Sequence, residues 1–336
     1  MKAIGYHQPL PIDNPEALLD LVLPEPVPGP RDLLVRVKAV SVNPVDTKVR
    51  KNAAPPAGEA KVLGWDAVGT VEAIGSAVTQ FNVGDRVYYA GSITRPGTNS
   101  ELHAVDERIV ALAPTSLDDA QAAALPLTSI TAYELLFDRL GVPKGGGAGQ
   151  TLLITGGAGG VGSILIQLAR QLTQLRVIAT ASRPETRQWC LDLGAHTVVD
   201  HSNPLAAELK AADIGEVDMV ASLTQTGQHY AQIIESLKPQ GKIGVIDDLP
   251  SLDAMPLKAK CLSLHWEIMF ARSRFETPDM AEQGRLLAEV AALVDTGRVR
   301  TTANASFGTI SAANLRRAHA LIESGKAQGK VVLAGF

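Results

Sequence analysis

The spacing Gly157-x-Gly159-x-x-Gly162, within Gly157-Ala158-Gly159-Gly160-Val161-Gly162, is the clearest chemical signal in the chain. It follows the apolar run Leu152-Leu153-Ile154. It opens a segment in which Val161, Ile164, Leu165, Leu168, Ala169 and Leu172 recur at helical spacing. Strand, glycine turn and helix in that order build an anion cradle. The glycines allow a tight turn, bring backbone N–H groups close to a ligand and let the helix pack on its sheet. The helix N-terminus then favours negative charge, so the expected ligand is the pyrophosphate of a dinucleotide.

The next apolar run, Val177-Ile178-Ala179-Thr180, exits into Ala181-Ser182-Arg183-Pro184. A site for NADH usually carries an acid near this point to bind the ribose 2′-hydroxyl. Here Ser182 and Arg183 stand there, with Arg187 one turn further on. An arginine makes a charge-assisted bond to a 2′-phosphate that an acid would repel. Such a bond contributes about 1.5–3 kcal/mol, roughly ten- to a hundredfold in affinity. The expected cofactor is therefore NADPH.

These residues need a sheet to position them. Between residues 150 and 265 the sequence alternates strand and helix, with strands expected at 151–155, 176–180, 197–199, 218–223, 242–246 and 261–265. The expected fold class is α/β, a β-rich unit joined to a doubly wound parallel Rossmann sheet. The β-rich part is expected from runs at 33–40, 67–75 and 86–89, with 76–85 as a turn-rich crossing. Helices are expected over 117–124, 128–140 and 314–324, and a last strand at 330–333 should rejoin the first domain.

Composition narrows the function classes. Thirty-one basic against 35 acidic residues leave a net charge of −4, with no basic stripe for nucleic acid or a membrane surface. No apolar run approaches the roughly 18 residues of a membrane span, and no secretory signal is expected at the start. Two cysteines, Cys190 and Cys261, cannot make a disulfide framework, so a cytoplasmic location is expected.

With these motifs in place, the chain resembles the medium-chain dehydrogenase/reductase superfamily, nearly end to end. The resemblance includes Gly64-Trp65-Asp66-Ala67-Val68-Gly69, Val83-Gly84-Asp85-Arg86-Val87 and the glycine unit, and it is nearest to the quinone oxidoreductase branch. It implies a GroES-like catalytic domain over 1–125, a Rossmann domain over 126–267 and a return to the catalytic domain over 268–336. Zinc members have a cysteine ligand where this chain has Asn43, and Gly-His-Glu where it has Gly64-Trp65-Asp66. Their four closely spaced structural cysteines have no counterpart, since no cysteine precedes Cys190. No metal site is expected, because catalytic zinc needs three Cys, His or carboxylate ligands.

The resemblance also implies roles. Asn43 of Ser41-Val42-Asn43-Pro44-Val45-Asp46 should lie near the nicotinamide, and Thr128 of Leu127-Thr128-Ser129-Ile130-Thr131-Ala132 should contact its side. Lys48 replaces a common tyrosine and could donate to a developing enolate. His201 should lie near the 2′-phosphate and adenine, and Leu223, Thr224, Ile246 and Asp247 should border the cofactor. Trp65, Tyr133, Trp266, Met269 and Phe270 could shape an apolar substrate pocket, though plain core packing competes for each. Without a metal, an enone or quinone is a suitable hydride acceptor, because its charge spreads over an enolate that a few donors can hold. The expected enzyme is a zinc-independent NADPH-dependent reductase of quinones or α,β-unsaturated carbonyls, acting on a small molecule as a homodimer. Reduction of another activated double bond or carbonyl, or an NADPH-binding sensor or structural role, remains open at this point.

Overall fold

In the computed structural model, which describes residues 1–336, the apolar runs beyond Gln150 become the strands of one parallel sheet. Its spatial order is Thr197–Val199, Arg176–Thr180, Thr151–Thr155, Val217–Ser222, Leu237–Val245 and Ser263–Trp266. From Thr151–Thr155 the chain steps outward twice, then crosses back to place Val217–Ser222 on the other side. Connections therefore leave these two neighbours in opposite directions, which opens a crevice at their carboxyl ends. Leu153, Ile178, Val220, Ile243 and Val245 are fully buried at the sheet's centre, and helices Leu205–Ala211 and Thr226–Ser236 pack Leu205, Leu209 and Ile233 against them. Each such side chain contributes about 1.5–3 kcal/mol through burial.

The helix Gly160–Leu172 buries Ile164, Leu165, Leu168 and Ala169, as its period requires, while Val161 stays half-exposed at its first turn. It ends at Thr173, whose backbone is extended.

Two units divide the chain. One is Thr131–Met269, which holds this parallel sheet; the other is Met1–Ile130 together with Phe270–Phe336. The second is built on a seven-stranded sheet around the long strand Asp32–Val42. One edge of that strand takes Asp66–Ile74. Its other edge is shared by Leu102–Asp106, opposite Asp32–Arg36, and by the last strand, Lys330–Ala334, opposite Ala39–Val42. The register Val331 to Val42 sets Lys330 across from Asn43. Arg86–Ala90 pairs with Asp66–Ile74, and a three-stranded sheet of Leu19–Val22, Lys2–Tyr6 and Lys61–Val62 completes the β structure.

Three departures from the sequence expectation have local causes. The strand expected at 242–246 starts at Leu237, and its ladder to Val217–Ser222 slips between Leu237 and Lys242. Pro239-Gln240-Gly241 forms the irregularity, with Gln240 at φ 66°. The helix expected over 128–140 is α-helical at Pro126–Tyr133 and a π-helix over Glu134–Arg139, where Leu140 N–H bonds the carbonyl of Leu135. Cys261 lies outside the edge strand Ser263–Trp266; it closes the short Met255–Lys260 turn at φ 50°.

Candidate functional site

At the carboxyl end of Thr151–Thr155 the chain turns through Gly156, at φ 68°. Gly156 N–H bonds Thr180 Oγ1 at 3.1 Å and Gly157 N–H bonds the Thr180 carbonyl at 3.1 Å, so the turn is moored to the neighbouring strand's exit. A Cβ on Gly157 would lie 2.7 Å from Ala179 Cβ and 3.0 Å from Cys190 Sγ. One on Gly162 would lie 2.5 Å from the Gly156 carbonyl oxygen and 2.6 Å from that of Gly157. Both positions therefore demand glycine. One on Gly159 would meet only the Gly156 oxygen, at 3.3 Å. Gly159, Gly160 and Val161 are half-exposed, and first-turn amides such as those of Gly160, Val161 and Gly162 have no acceptor within their own helix. The cradle fits a pyrophosphate: unsatisfied amides, a helix N-terminus, and no side chain filling the turn.

The other strand exits surround this turn. Thr224 closes on Gly156, where a Cβ would come within 2.8 Å of Thr224 Cγ2, and Leu223 N–H bonds Thr155 Oγ1 at 3.0 Å. Ser182 and Arg183 are half-buried at the exit of Arg176–Thr180. Arg183 Nε pairs with Glu185 at 2.9 Å. Arg187 has a different duty from the one expected: its guanidinium donates to the carbonyls of Ala181, at 3.3 Å, and Val198, at 2.9 Å. Those bonds staple the exits of two adjacent strands and take donors away from an incoming phosphate. His201 sits edge-on to His229, ring centroids 6.1 Å apart, with Nδ1 of each buried and without a hydrogen-bond partner. Asp247 accepts from the N–H and hydroxyl of Thr226, so it caps the helix Thr226–Ser236 from a neighbouring loop. Ile246 N–H reaches the Ser222 carbonyl at 3.3 Å.

Asn43 and Thr128 belong to the other unit. Asn43 is fully buried at the start of the helix Pro44–Asn52, where its N–H bonds Asp46 Oδ2 at 2.8 Å. Its side-chain Nδ2 donates to Asp66 Oδ2 at 2.7 Å, and its Oδ1 accepts from Lys330 Nζ. Lys330 Nζ also bonds the Val42 carbonyl at 3.0 Å and lies 3.2 Å from Asp66 Oδ2. Asp66 further accepts from Ser41 Oγ at 2.6 Å and, through Oδ1, from Leu127 N–H at 2.7 Å. Thr128 is buried next to that anchor, with Oγ1 bonded back to the Leu125 carbonyl at 3.2 Å. Lys48 is exposed on the same helix as Asp46. Burial pushes the Asp46 carboxyl up to about 7, against the Asn43 amide and the Lys330 ammonium, and burial lowers Lys330 against the pull of Asp66 and Asp46.

Nothing local in the sequence marks Lys330 as part of this site, and Asp66 stands out there only within Gly64-Trp65-Asp66-Ala67-Val68-Gly69. A lysine opening an apolar strand reads as a solvated strand end; only the pairing of Lys330–Ala334 with Ala39–Val42 buries it.

Of the aromatic candidates, Trp65 and Phe270 lie in one unit, and Tyr133, Trp266 and the neighbouring Met269 in the other. Trp65 is buried, donates Nε1 to the Ser92 carbonyl at 3.2 Å and packs edge-on against Phe270 at 5.7 Å, which is core packing. Tyr133 packs on Phe137 at 4.6 Å with Lys144 over its ring. Met269 is buried, whereas Trp266 is 51% exposed on the sheet-edge strand.

A GroES-like unit joined to a Rossmann unit with an open glycine cradle defines a nucleotide-binding oxidoreductase. Residues 29–115 match the family model for the alcohol dehydrogenase GroES-like domain, and residues 193–333 match that for zinc-binding dehydrogenase. A zinc-type alcohol dehydrogenase-like protein of Staphylococcus aureus (strain MSSA476) is 40% identical over 336 residues, covering 99% of both chains. A solved structure from Rhizobium etli CFN 42 with a zinc-dependent alcohol dehydrogenase designation is 57% identical, with TM-score 0.96 over 100% of this chain and 98% of that one. Escherichia coli quinone oxidoreductase complexed with NADPH is 25% identical, with TM-score 0.84 over 99% of this chain and 100% of that one. The chain belongs to the medium-chain dehydrogenase/reductase superfamily.

Proposed function

We propose that the protein is a zinc-independent, NADPH-dependent reductase of quinones or α,β-unsaturated carbonyl compounds. The observation that carries this reading is the glycine cradle, whose neighbouring strand exit presents Ser182 and Arg183 instead of an acid. The NADPH complex of the structurally similar Escherichia coli quinone oxidoreductase supports it.

The amides of Gly160, Val161 and Gly162 would hold the pyrophosphate. Ser182 and Arg183 would hold the 2′-phosphate. The Arg183–Glu185 pair is solvent-exposed, with side chains 40% and 61% accessible, so it is weak and a phosphate can displace the glutamate. Leu223, Thr224, Ile246 and His201 would line the rest of the dinucleotide. When bound, the nicotinamide supplies the hydride. Asn43 and Thr128 would orient its ring, and Lys48, on an exposed helix face, would donate to the oxyanion that develops on the acceptor.

The donor set around Asn43 supports zinc independence. Asn43 Oδ1 and Asp66 Oδ2 face the Lys330 ammonium, and Trp65 offers only an N–H donor. An ammonium among these groups repels a dication, and the residues present do not supply three ligands.

A second copy of this chain is the proposed partner. The edge strand Ser263–Trp266 leaves Trp266 and, just beyond it, Ile268, 56% accessible, on the surface. Cys190 and Cys261 are both unpaired, which is consistent with the proposed cytoplasmic location.

NADPH oxidation with a panel of quinones and enones, with and without a chelator, tests the proposal. Turnover that the chelator leaves unchanged is expected. Tight NADPH binding with no turnover on any acceptor would favour a sensor role, and chelator-sensitive turnover would refute zinc independence.

A further inference from the structure

We propose that the buried Lys330–Asp66 pair is a positioning device that locks the Asn43 carboxamide in one orientation and holds the start of the Thr128 helix in register with it. The proposal rests on the roles given above to Asn43 and Thr128.

Lys330 has three donors, and each has an acceptor: the Val42 carbonyl, Asn43 Oδ1 and Asp66 Oδ2. Asp66 is equally committed, to Ser41 Oγ, Asn43 Nδ2, Leu127 N–H and the ammonium. Asn43 lies between them with its oxygen on the cation and its nitrogen on the anion. Rotating the amide by half a turn would point NH₂ at the ammonium and C=O at the carboxylate, two repulsions in a site closed to water. The flanking charges therefore fix which end is which, an assignment ordinary packing leaves open because the two amide ends have nearly the same shape. They also polarise the amide, and the second Nδ2–H becomes a stronger donor in a fixed direction.

The same carboxylate reaches the other candidate. Leu127 N–H belongs to the first turn of Pro126–Tyr133, where amides have no acceptor in their own helix, and Asp66 Oδ1 supplies one at 2.7 Å. One carboxylate thus ties the Asn43 segment to the helix that carries Thr128. Stability alone gives little reason for such a pair, since a buried ion pair is often matched or bettered by apolar side chains of the same volume.

The experiment compares wild type with Lys330→Met, Asp66→Asn and the double variant, measuring NADPH affinity by fluorescence, kcat, melting temperature, and the Asn43 side-chain NH₂ signal in ¹⁵N-asparagine-labelled protein. In the wild type that signal should be a slowly exchanging pair; in Lys330→Met it should broaden through amide rotation. Lys330→Met should lower kcat roughly 10- to 100-fold and change NADPH affinity less than twofold. The double variant removes both charges and should recover melting temperature without recovering kcat. If it recovers both, or if the Asn43 signal is the same in folded Lys330→Met, the pair is structural only and the proposal is overturned. Should Lys330→Met fail to fold, the double variant carries the test. Wild type that binds no NADPH would instead defeat the functional reading, while the Asn43 signal would still decide the orientation.

Discussion

Replacing Gly162 by alanine tests whether the turn after Thr155 is shaped to hold a phosphate. The added methyl would lie 2.5 Å from the Gly156 oxygen, 2.6 Å from the Gly157 oxygen and 2.7 Å from Gly157 Cα, all backbone atoms that cannot rotate aside. Restoring ordinary contact requires the turn or the helix start to retreat by about 1 Å. An amide at about 2.8 Å from a phosphate oxygen would then stand near 3.8 Å, beyond hydrogen-bonding distance. Losing one charge-assisted bond of about 1.5–3 kcal/mol raises the NADPH dissociation constant roughly 10- to 100-fold. The overpacked turn should also cost about 1–3 kcal/mol of stability. Gly159→Ala is the informative partner, because its methyl would meet only one oxygen, at 3.3 Å. It should fold nearly as stably as wild type and lose affinity only through its open side. Fluorescence titration with NADPH and thermal unfolding of both variants measure the two effects separately. Folded Gly162→Ala that binds NADPH within twofold of wild type would refute the reasoning.

Two further predictions follow from the other unit. Lys48→Met should lower kcat at least tenfold while leaving NADPH affinity within twofold, as steady-state rates and titration would show; an unchanged rate would remove Lys48 from the chemistry. His319 is fully buried with neither ring nitrogen bonded, and burial, reinforced by Arg50 and Lys51, lowers it to about 3. Its unfolded value is about 6.5, so below that pH the unfolded chain takes up a proton the folded chain refuses. The stability is fully present above about 6.5 and is lost as pH falls toward 3, by about 2 kcal/mol at pH 5. Burial raises the Asp46 carboxyl to about 7 and, with Glu134 beside it, raises that of Glu267; both act with the opposite sign, so the His319→Leu difference isolates the histidine. Denaturant unfolding at pH 7 and pH 5 should show His319→Leu losing less stability than wild type; equal losses would contradict the assignment.

How much of this was legible depended on the range of the interaction. The Rossmann strands and the glycine turn could be read because each is a local pattern: an apolar run such as Leu152-Leu153-Ile154, a glycine spacing, and a helical period beginning at Val161. The slip at Pro239-Gln240-Gly241 was hidden because a turn signal inside a strand looks like its beginning. Arg187 looked like a phosphate ligand because sequence gives position along a helix but not which way the guanidinium folds; it folds back onto Ala181 and Val198. Trp65 and Phe270, far apart in sequence, meet as core, while Trp266 is exposed at a sheet edge; an aromatic side chain in sequence does not say which of these it will do. Lys330 was invisible because its partners, Asn43 and Asp66, lie hundreds of residues away and are brought to it by strand register alone.

The most direct measurement is isothermal titration of NADPH and NADH into wild type and Arg183→Ala. NADPH should bind wild type at least about tenfold tighter than NADH, and the arginine substitution should erase most of that difference while leaving NADH nearly unchanged. No heat with either dinucleotide, or an equal loss for both in the variant, would contradict it.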